Sequence, residues 1–238
     1  MSALTSERVT LQGSDGSAMD AYVSRTAAVT SGPGILVFQE AYGVNAHIRE
    51  VADRLANLGF TAIAPELFHR TVRGFEGSYT QAEATRPHTS ALTRDGILAD
   101  IRAAYAWLSS DQRVEATRIA AIGFCMGGQV AYLANSAVDL LGAVSFYAGG
   151  LVPDLLPLAS EQRSPILMFW GGLDRHIAPA DYRAVADALT VAKKIHEQVL
   201  FSHADHGFFC DQRASYDELA ARQAWALATE FFRVYEIL

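Results

Sequence analysis

Cys125 stands in the run Gly123-Phe124-Cys125-Met126-Gly127-Gly128, between the apolar stretch Arg118 to Ile122 and the helix-like stretch Gln129 to Asn135. Small residues flanking a nucleophile suit a sharp strand-to-helix turn, because side chains there would collide with neighbouring backbone. The run therefore reads as a nucleophile elbow in which a thiol replaces the usual hydroxyl; the plainer alternative is a small buried hydrophobe. The first reading needs a base and a group that orients it, since a thiol of pKa about 8.5 is mostly protonated at neutral pH. The chain supplies both downstream, in the order nucleophile, acid, histidine that elbow enzymes use. Asp174 ends Gly171-Gly172-Leu173-Asp174, just past the β-rich run Pro165 to Trp170, where open α/β sheets place reacting groups. Glu197 to Phe201 reads as a last strand. The loop after it, Ser202-His203-Ala204-Asp205-His206-Gly207-Phe208, carries two histidines that periodicity does not separate.

A second carboxylate, Glu40, falls at the end of the apolar strand Ile35 to Phe38. Ionised, it would repel a thiolate; buried, it must be paired or protonated. Two states follow: a neutral Glu40 near the thiol, or a Glu40 displaced toward a cation. Arg49, about two helical turns on, is a candidate partner. The helix beginning near Met126 would also turn free amides and its positive dipole end toward the sulfur.

Four segments carry a family resemblance: Phe38-Gln39-Glu40-Ala41-Tyr42-Gly43-Val44-Asn45, the Cys125 run, Gly171 to Asp174, and Asp205-His206-Gly207-Phe208. Together they resemble the dienelactone hydrolase (carboxymethylenebutenolidase) family of α/β hydrolases over essentially the whole chain. The resemblance implies a Cys125, His206, Asp174 triad, with His206 rather than His203 as base. It implies Glu40 as a gate that helps generate the thiolate, and an oxyanion hole from the backbone amides of Met126 and Ala41. The implied activity is hydrolysis of a small lactone or activated ester through an acyl-cysteine, without cofactor or metal.

One departure bears on the substrate. The family holds the substrate carboxylate with arginines, one of them four residues past the histidine, and that position here is Cys210. Arg213 follows three residues on, and Arg70, Arg73, Arg86 and Arg94 offer other cations. Arg73 and Arg86, with Tyr42, Tyr147 and Phe208, are taken as the substrate-binding set; Phe68, Tyr79 and Trp170 are further aromatics for an apolar pocket. Without the family arginine, an esterase or thioesterase for an uncharged substrate is the competing expectation, and a non-catalytic binding or redox protein on the same scaffold is a third.

The elements that must position these groups follow from periodicity. Val9 to Gln12 and Met19 to Ser24, around Ser14-Asp15-Gly16-Ser17, read as an antiparallel hairpin. Ile35 to Phe38, Ala62 to Ala64, Ile119 to Ile122, Ala143 to Tyr147, Ile166 to Trp170 and Gln198 to Phe201 are short apolar runs separated by amphipathic, helix-length segments. That alternation predicts a mostly parallel α/β sheet with helices on both faces. The helices are expected over Ala46 to Leu58, Thr93 to Ser109, Gly128 to Asn135, Ala180 to Val191 and Ala214 to Tyr235, and residues 65–92, lacking a period, as an irregular cap. The expected organisation is one α/β hydrolase domain over residues 1–238.

Composition narrows the partners. A net charge of −7 disfavours nucleic acid and anionic membranes, so an anionic substrate would need local arginines. No apolar run reaches the roughly 18 residues that would span a bilayer, and no basic-then-apolar leader is evident. Two cysteines, one of them read as a reactive thiol and Cys210 as core filler or a bystander thiol lining or backing the site, favour a reducing compartment, with cytoplasm the expectation. The glycines near Cys125 do not spell a dinucleotide cradle, and His203, Asp205 and His206 lack a remote ligand cluster that would make them a metal site. A monomer or small homo-oligomer is expected.

Overall fold

The structure, a computed structural model, describes residues 3–238. Its centre is an eight-stranded sheet in the order β1-β2-β4-β3-β5-β6-β7-β8. The strands are β1 Leu4–Gln12, β2 Ala18–Thr26, β3 Gly32–Phe38, β4 Thr61–Pro65, β5 Val114–Phe124, β6 Gly142–Phe146, β7 Ile166–Gly171 and β8 His196–Phe201. β1 and β2 form an antiparallel hairpin, β2 pairs antiparallel with β4, and every pairing from β4 to β8 is parallel. β3, β4, β6 and β7 are buried at every residue, which requires cover on both faces and explains why they read as unbroken apolar runs.

The cover comes from α1 Ala46–Asn57, α3 Arg94–Ser110, α4 Met126–Ala137, α5 Pro179–Val191 and α6 Glu218–Val234; the four-residue α2, Arg86–Thr89, lies outside the sheet layers. Side-chain caps fix three starts: Asn45 accepts from Ile48 N (3.3 Å), Thr93 from Gly96 N (3.1 Å) and Asp217 from Ala220 N (2.9 Å).

The Asp217 cap corrects one expectation, because it starts α6 four residues later than Ala214 and leaves residues 207–217 free to form a loop across the site. The hairpin is also longer than its pattern. β1 begins at Leu4, where exposed residues show no alternation and ladder pairing to Thr26 alone defines the strand. Conversely, residues 65–92 hold more structure than their sequence suggests. They contain a 3-10 turn at Ala82–Thr85 and α2, with Phe68 edge-on to Phe75 and His88 tilted against Phe75. Gly77 N donates to Tyr42 O (2.9 Å), tying this segment to the loop after β3.

Candidate active site

β5 delivers Cys125 to a turn that only its neighbours permit. Cys125 sits at φ 55°, ψ −115°, in the left-handed region that costs a non-glycine residue backbone strain. Its N–H donates to Phe146 O (3.0 Å), and α4 begins at once with Met126. A Cβ on Gly123 would lie 1.9 Å from Gly127 O, and one on Gly127 would lie 2.2 Å from Phe38 O. Glycine is therefore obligatory at both, and the elbow is pressed against the end of β3. That contact puts the Glu40-Ala41 turn beside the first turn of α4, whose N–H groups have no intrahelical carbonyl.

Loops after β7 and β8 complete a chain of contacts. His206 Nε2 lies 3.1 Å from Cys125 Sγ, and His206 Nδ1 lies 2.7 Å from Asp174 Oδ2. Asp174 is itself oriented, since its Oδ1 accepts from His176 N at 2.7 Å. Burial is the largest influence on His206 and pulls its pKa down, but hydrogen bonds and charge from Asp174 and Cys125 together overcome it and raise the value to about 10. With the carboxylate accepting from Nδ1–H, Nε2 faces the thiol, so the arrangement can move the Cys125 proton onto the ring. His203 is half-exposed, 3.7 Å from Asp217 Oδ1, and takes no part in this chain.

Glu40 has a different set of partners from the one expected. Arg49 donates to Val44 O (2.6 Å) and to Glu76 (2.7 Å), because the buried face of α1 is made by His47, Ile48 and Val51 and leaves Arg49 on the outside. The cation on Glu40 is Arg213, whose Nη1 donates to Oε1 at 3.0 Å. Tyr79 Oη donates to Oε2 at 2.8 Å and accepts from Asn45 Nδ2 at 3.0 Å. Burial, then the Glu40 charge, pushes the Tyr79 phenol far above its ordinary value, which keeps it a donor. The Arg213 guanidinium rides over the rings of Tyr42 and Tyr79, 5.9 and 5.6 Å from their centroids.

The expected substrate-binding set divides. Tyr147 and Phe208 pack at 5.2 Å from one another, Tyr147 also at 5.2 Å from His206, and Tyr42 at 4.5 Å from Tyr79. Tyr147 is left-handed at φ 36°, and its buried Oη has no hydrogen-bond partner among the described residues. Arg73 and Arg86 do not join them. Arg73 donates to Ala18 O at 3.3 Å on the surface, and Arg86 is 72% exposed beside Glu83. Arg70 is consumed by Asp15 and Asp100. Trp170 points the other way, to Gln198 (3.0 Å), and Phe68 stays within its own aromatic cluster. A groove of about 530 Å³, lined by Leu92, Arg94, Met126, Leu133 and Leu155 among others, opens beside the elbow. Behind Glu40, burial pushes the Cys210 thiol up to about 11 and draws His47 below its ordinary value.

The sequence profile of the dienelactone hydrolase family matches residues 19–236. The chain belongs to that family. A Synechocystis protein provisionally named a carboxymethylenebutenolidase is 36% identical over 222 residues, covering 89% of this chain and 90% of its own. A crystal structure from Klebsiella pneumoniae, provisionally titled a dienelactone hydrolase, superposes with a TM-score of 0.88 at 28% identity over 97% of this chain and 99% of that one. A dienelactone hydrolase-like promiscuous phosphotriesterase from metagenomic libraries gives 0.86 at 25% identity over 98% and 99%. This dienelactone hydrolase family member is therefore an α/β-hydrolase-fold enzyme of the carboxylic ester hydrolase type. Among the described residues no helix is long and apolar enough to cross a membrane.

Sequence reasoning missed the Glu40–Arg213 pair and the Tyr79 contact. The available signal was that Arg213 lies in the loop that follows the Asp205-His206-Gly207-Phe208 segment, three residues past the family's arginine position.

Proposed function

We propose that this hydrolase cleaves a small lactone or activated ester through an acyl-Cys125 intermediate. The observation that carries the reading is the continuous Cys125–His206–Asp174 contact chain, 3.1 and 2.7 Å. His206 takes the thiol proton, and the thiolate attacks the substrate carbonyl carbon. The N–H groups of Met126 and Ala41 receive the oxyanion, an effect of roughly 3 kcal/mol per donor in other hydrolases. As the tetrahedral adduct collapses, the imidazolium returns its proton to the departing oxygen, which in a lactone remains tethered to the acyl group. His206 then deprotonates a water that cleaves the thioester, and the acid leaves while Cys125 is regenerated.

Glu40 serves as the gate in this reading. At rest it is held by Arg213 and Tyr79, away from a repulsive encounter with the thiolate. A substrate carboxylate competes for the Arg213 guanidinium and releases the Glu40 carboxylate toward the thiol, where it is a second acceptor for the Cys125 proton beside His206 and becomes neutral on taking it, so a carboxylate-bearing lactone promotes thiolate formation and its own cleavage. One observation favours the uncharged alternative: Arg213 is already engaged by Glu40, while Arg73 and Arg86 face away.

Mass spectrometry during turnover of a lactone acid and of a neutral p-nitrophenyl ester tests both points. The acyl mass is expected on Cys125, absent in Cys125→Ala and slow to form in His206→Ala. Equal turnover by Cys125→Ala would remove the thiol from the mechanism, and turnover of the neutral ester alone would select the esterase reading.

A further inference from the structure

Three side chains from separate segments converge behind the triad. One oxygen of Glu40, one ring nitrogen of His47 and Cys210 Sγ all lie within 4.8 Å of one another. Glu40 and Cys210 are fully buried and His47 is 3% exposed. Cys210 is a free thiol, and His47 Nε2 is buried with no hydrogen-bond partner among the described residues. Buried ring nitrogens are normally paired, so an orphan on an imidazole that also meets a thiol and a carboxylate points to a missing ligand. On the other side of the ring, Nδ1 lies 3.9 Å from Asp211 Oδ1. A small rotation would make this the carboxylate–histidine contact that orients metal-binding imidazoles.

We propose that Glu40, His47 and Cys210 form a binding site for a divalent cation of the Zn²⁺ class. A thiolate, an imidazole and a carboxylate are the donor set that such a borderline-soft ion selects, and hard cations would reject the sulfur. Bonds of about 2.0–2.3 Å to a tetrahedral ion need donors somewhat closer than 4.8 Å, a contraction of about 1 Å that side-chain rotation supplies. Glu40 has capacity left, because Arg213 and Tyr79 occupy two of its roughly four lone-pair sites. As the sulfur–metal bond forms, the Cys210 S–H bond breaks and its proton leaves to solvent, with no change of oxidation state. Thiolate and carboxylate then offset the dication, and a water fills the fourth position. The approach is the cleft of about 330 Å³ between α1 and α6, which His47, Glu50 and Asp211 line.

Glu40 is shared with the gate, so an occupied site also fixes the gate carboxylate if the acyl-cysteine reading holds; binding itself does not depend on that reading. The proposal departs from the expectation that the chain holds no metal, which weighed only His203, Asp205 and His206 as ligands; this cluster is a different one.

Cobalt(II) titration of Cys125→Ala isolates the question, because Cys210 is then the sole thiol of the two in the chain. A thiolate-to-cobalt charge-transfer band with intense four-coordinate visible bands is expected, saturating at one equivalent. Adding Cys210→Ser should abolish it, and adding His47→Gln should weaken binding about tenfold or more. Should His47→Gln fail to fold, Asp211→Ala keeps the test open, because Asp211 is 60% exposed and acts only by orienting the ring. No charge-transfer band in Cys125→Ala at excess cobalt would overturn the proposal. So would a band whose strength is indifferent to both His47→Gln and Asp211→Ala. Neither result bears on whether Cys125 is acylated, so the two readings fail separately.

Discussion

Two carboxylates enter the same site by opposite construction. Asp174 hangs from the end of β7, is held by the His176 amide, and meets one partner in His206. Glu40 hangs from the end of β3 and is held by side chains alone, Arg213 from 173 residues away and Tyr79 from the segment that crosses the site. The first is fixed by backbone, the second by groups that can let go. A hydrogen-bonded imidazole on a rigid strand end suits proton transfer, which needs constant geometry. A carboxylate held by a guanidinium and a phenol suits exchange, because both restraints are side chains, which can rotate away without moving the backbone.

The largest expected effect falls on the rigid side. Cys125→Ala should lower kcat by roughly 10⁴-fold or more, and His206→Ala by a similar factor, since residues acting as one unit fail together. Stopped-flow kinetics on an activated ester measure both. A small loss in either would dissolve the contrast, because the backbone-fixed arrangement would then have no catalytic purpose.

Asp174→Asn should cost about 10³- to 10⁴-fold in kcat, by releasing the imidazole tautomer while leaving the fold intact. It carries a pH signature as well. The folded value of His206, about 10, lies above the unfolded value of about 6.5, so protonated His206 stabilises the native state. That contribution is full below about pH 6.5 and is lost as pH rises through about 10. Wild-type Tm should therefore fall across this window. In Asp174→Asn a raising interaction is gone, so the fall should begin at the same pH, set by the unfolded value, but finish at lower pH and be smaller in total. Identical Tm profiles for the two proteins would separate Asp174 from the charge on His206.

On the exchangeable side the effect is on stability. Arg213→Met leaves Glu40 buried without its cation, and removing one partner of a buried pair costs about 3–5 kcal/mol. The Arg213 side chain is only 17% exposed, so solvent does little to replace it. Urea unfolding measures the loss, and Arg213→Lys should recover part of it. Tyr79→Phe, which removes a neutral donor from the same charged acceptor, should cost about 2 kcal/mol. If Tyr79→Phe cost more than Arg213→Met, the phenol would be the principal restraint on the gate.

The same contrast explains what the chain disclosed. Cys125, Asp174 and His206 each follow an apolar run by a few residues, and glycines that no other residue could replace mark the elbow. Strand ends are periodic features, so the elements and the positions of Cys125 and Asp174 at their tips are visible in the sequence, while His206 is told from His203 only by the family resemblance. The order of strands is not, because β4 slots between β2 and β3 through pairing that leaves no local trace. Arg213, Tyr79, His47 and Cys210 meet Glu40 across loops whose paths depend on caps such as Asp217, which delays α6 and frees the turn that carries Arg213. Local spacing favoured Arg49, the nearest cation in sequence, over the nearest in space.

Arg49→Ala is thus the smallest prediction and the one that most directly opposes sequence proximity to structure. Arg49 bonds Glu76 at 2.7 Å, with side chains 26% and 42% exposed, a pair of the kind worth about 0–1 kcal/mol. Its loss also frees the Val44 carbonyl, which the removed, 26%-exposed side chain had covered and which the gap it leaves opens to water. Arg49→Ala should therefore shift the urea midpoint only slightly, leave kcat within about twofold, and add its effect independently to that of Arg213→Met. A cost comparable to Arg213→Met, or strong coupling between the two, would mean that Glu40 draws on both cations and that the held state is broader than one guanidinium. A negligible cost would leave Arg213 as the cation that sets when Glu40 is free to move.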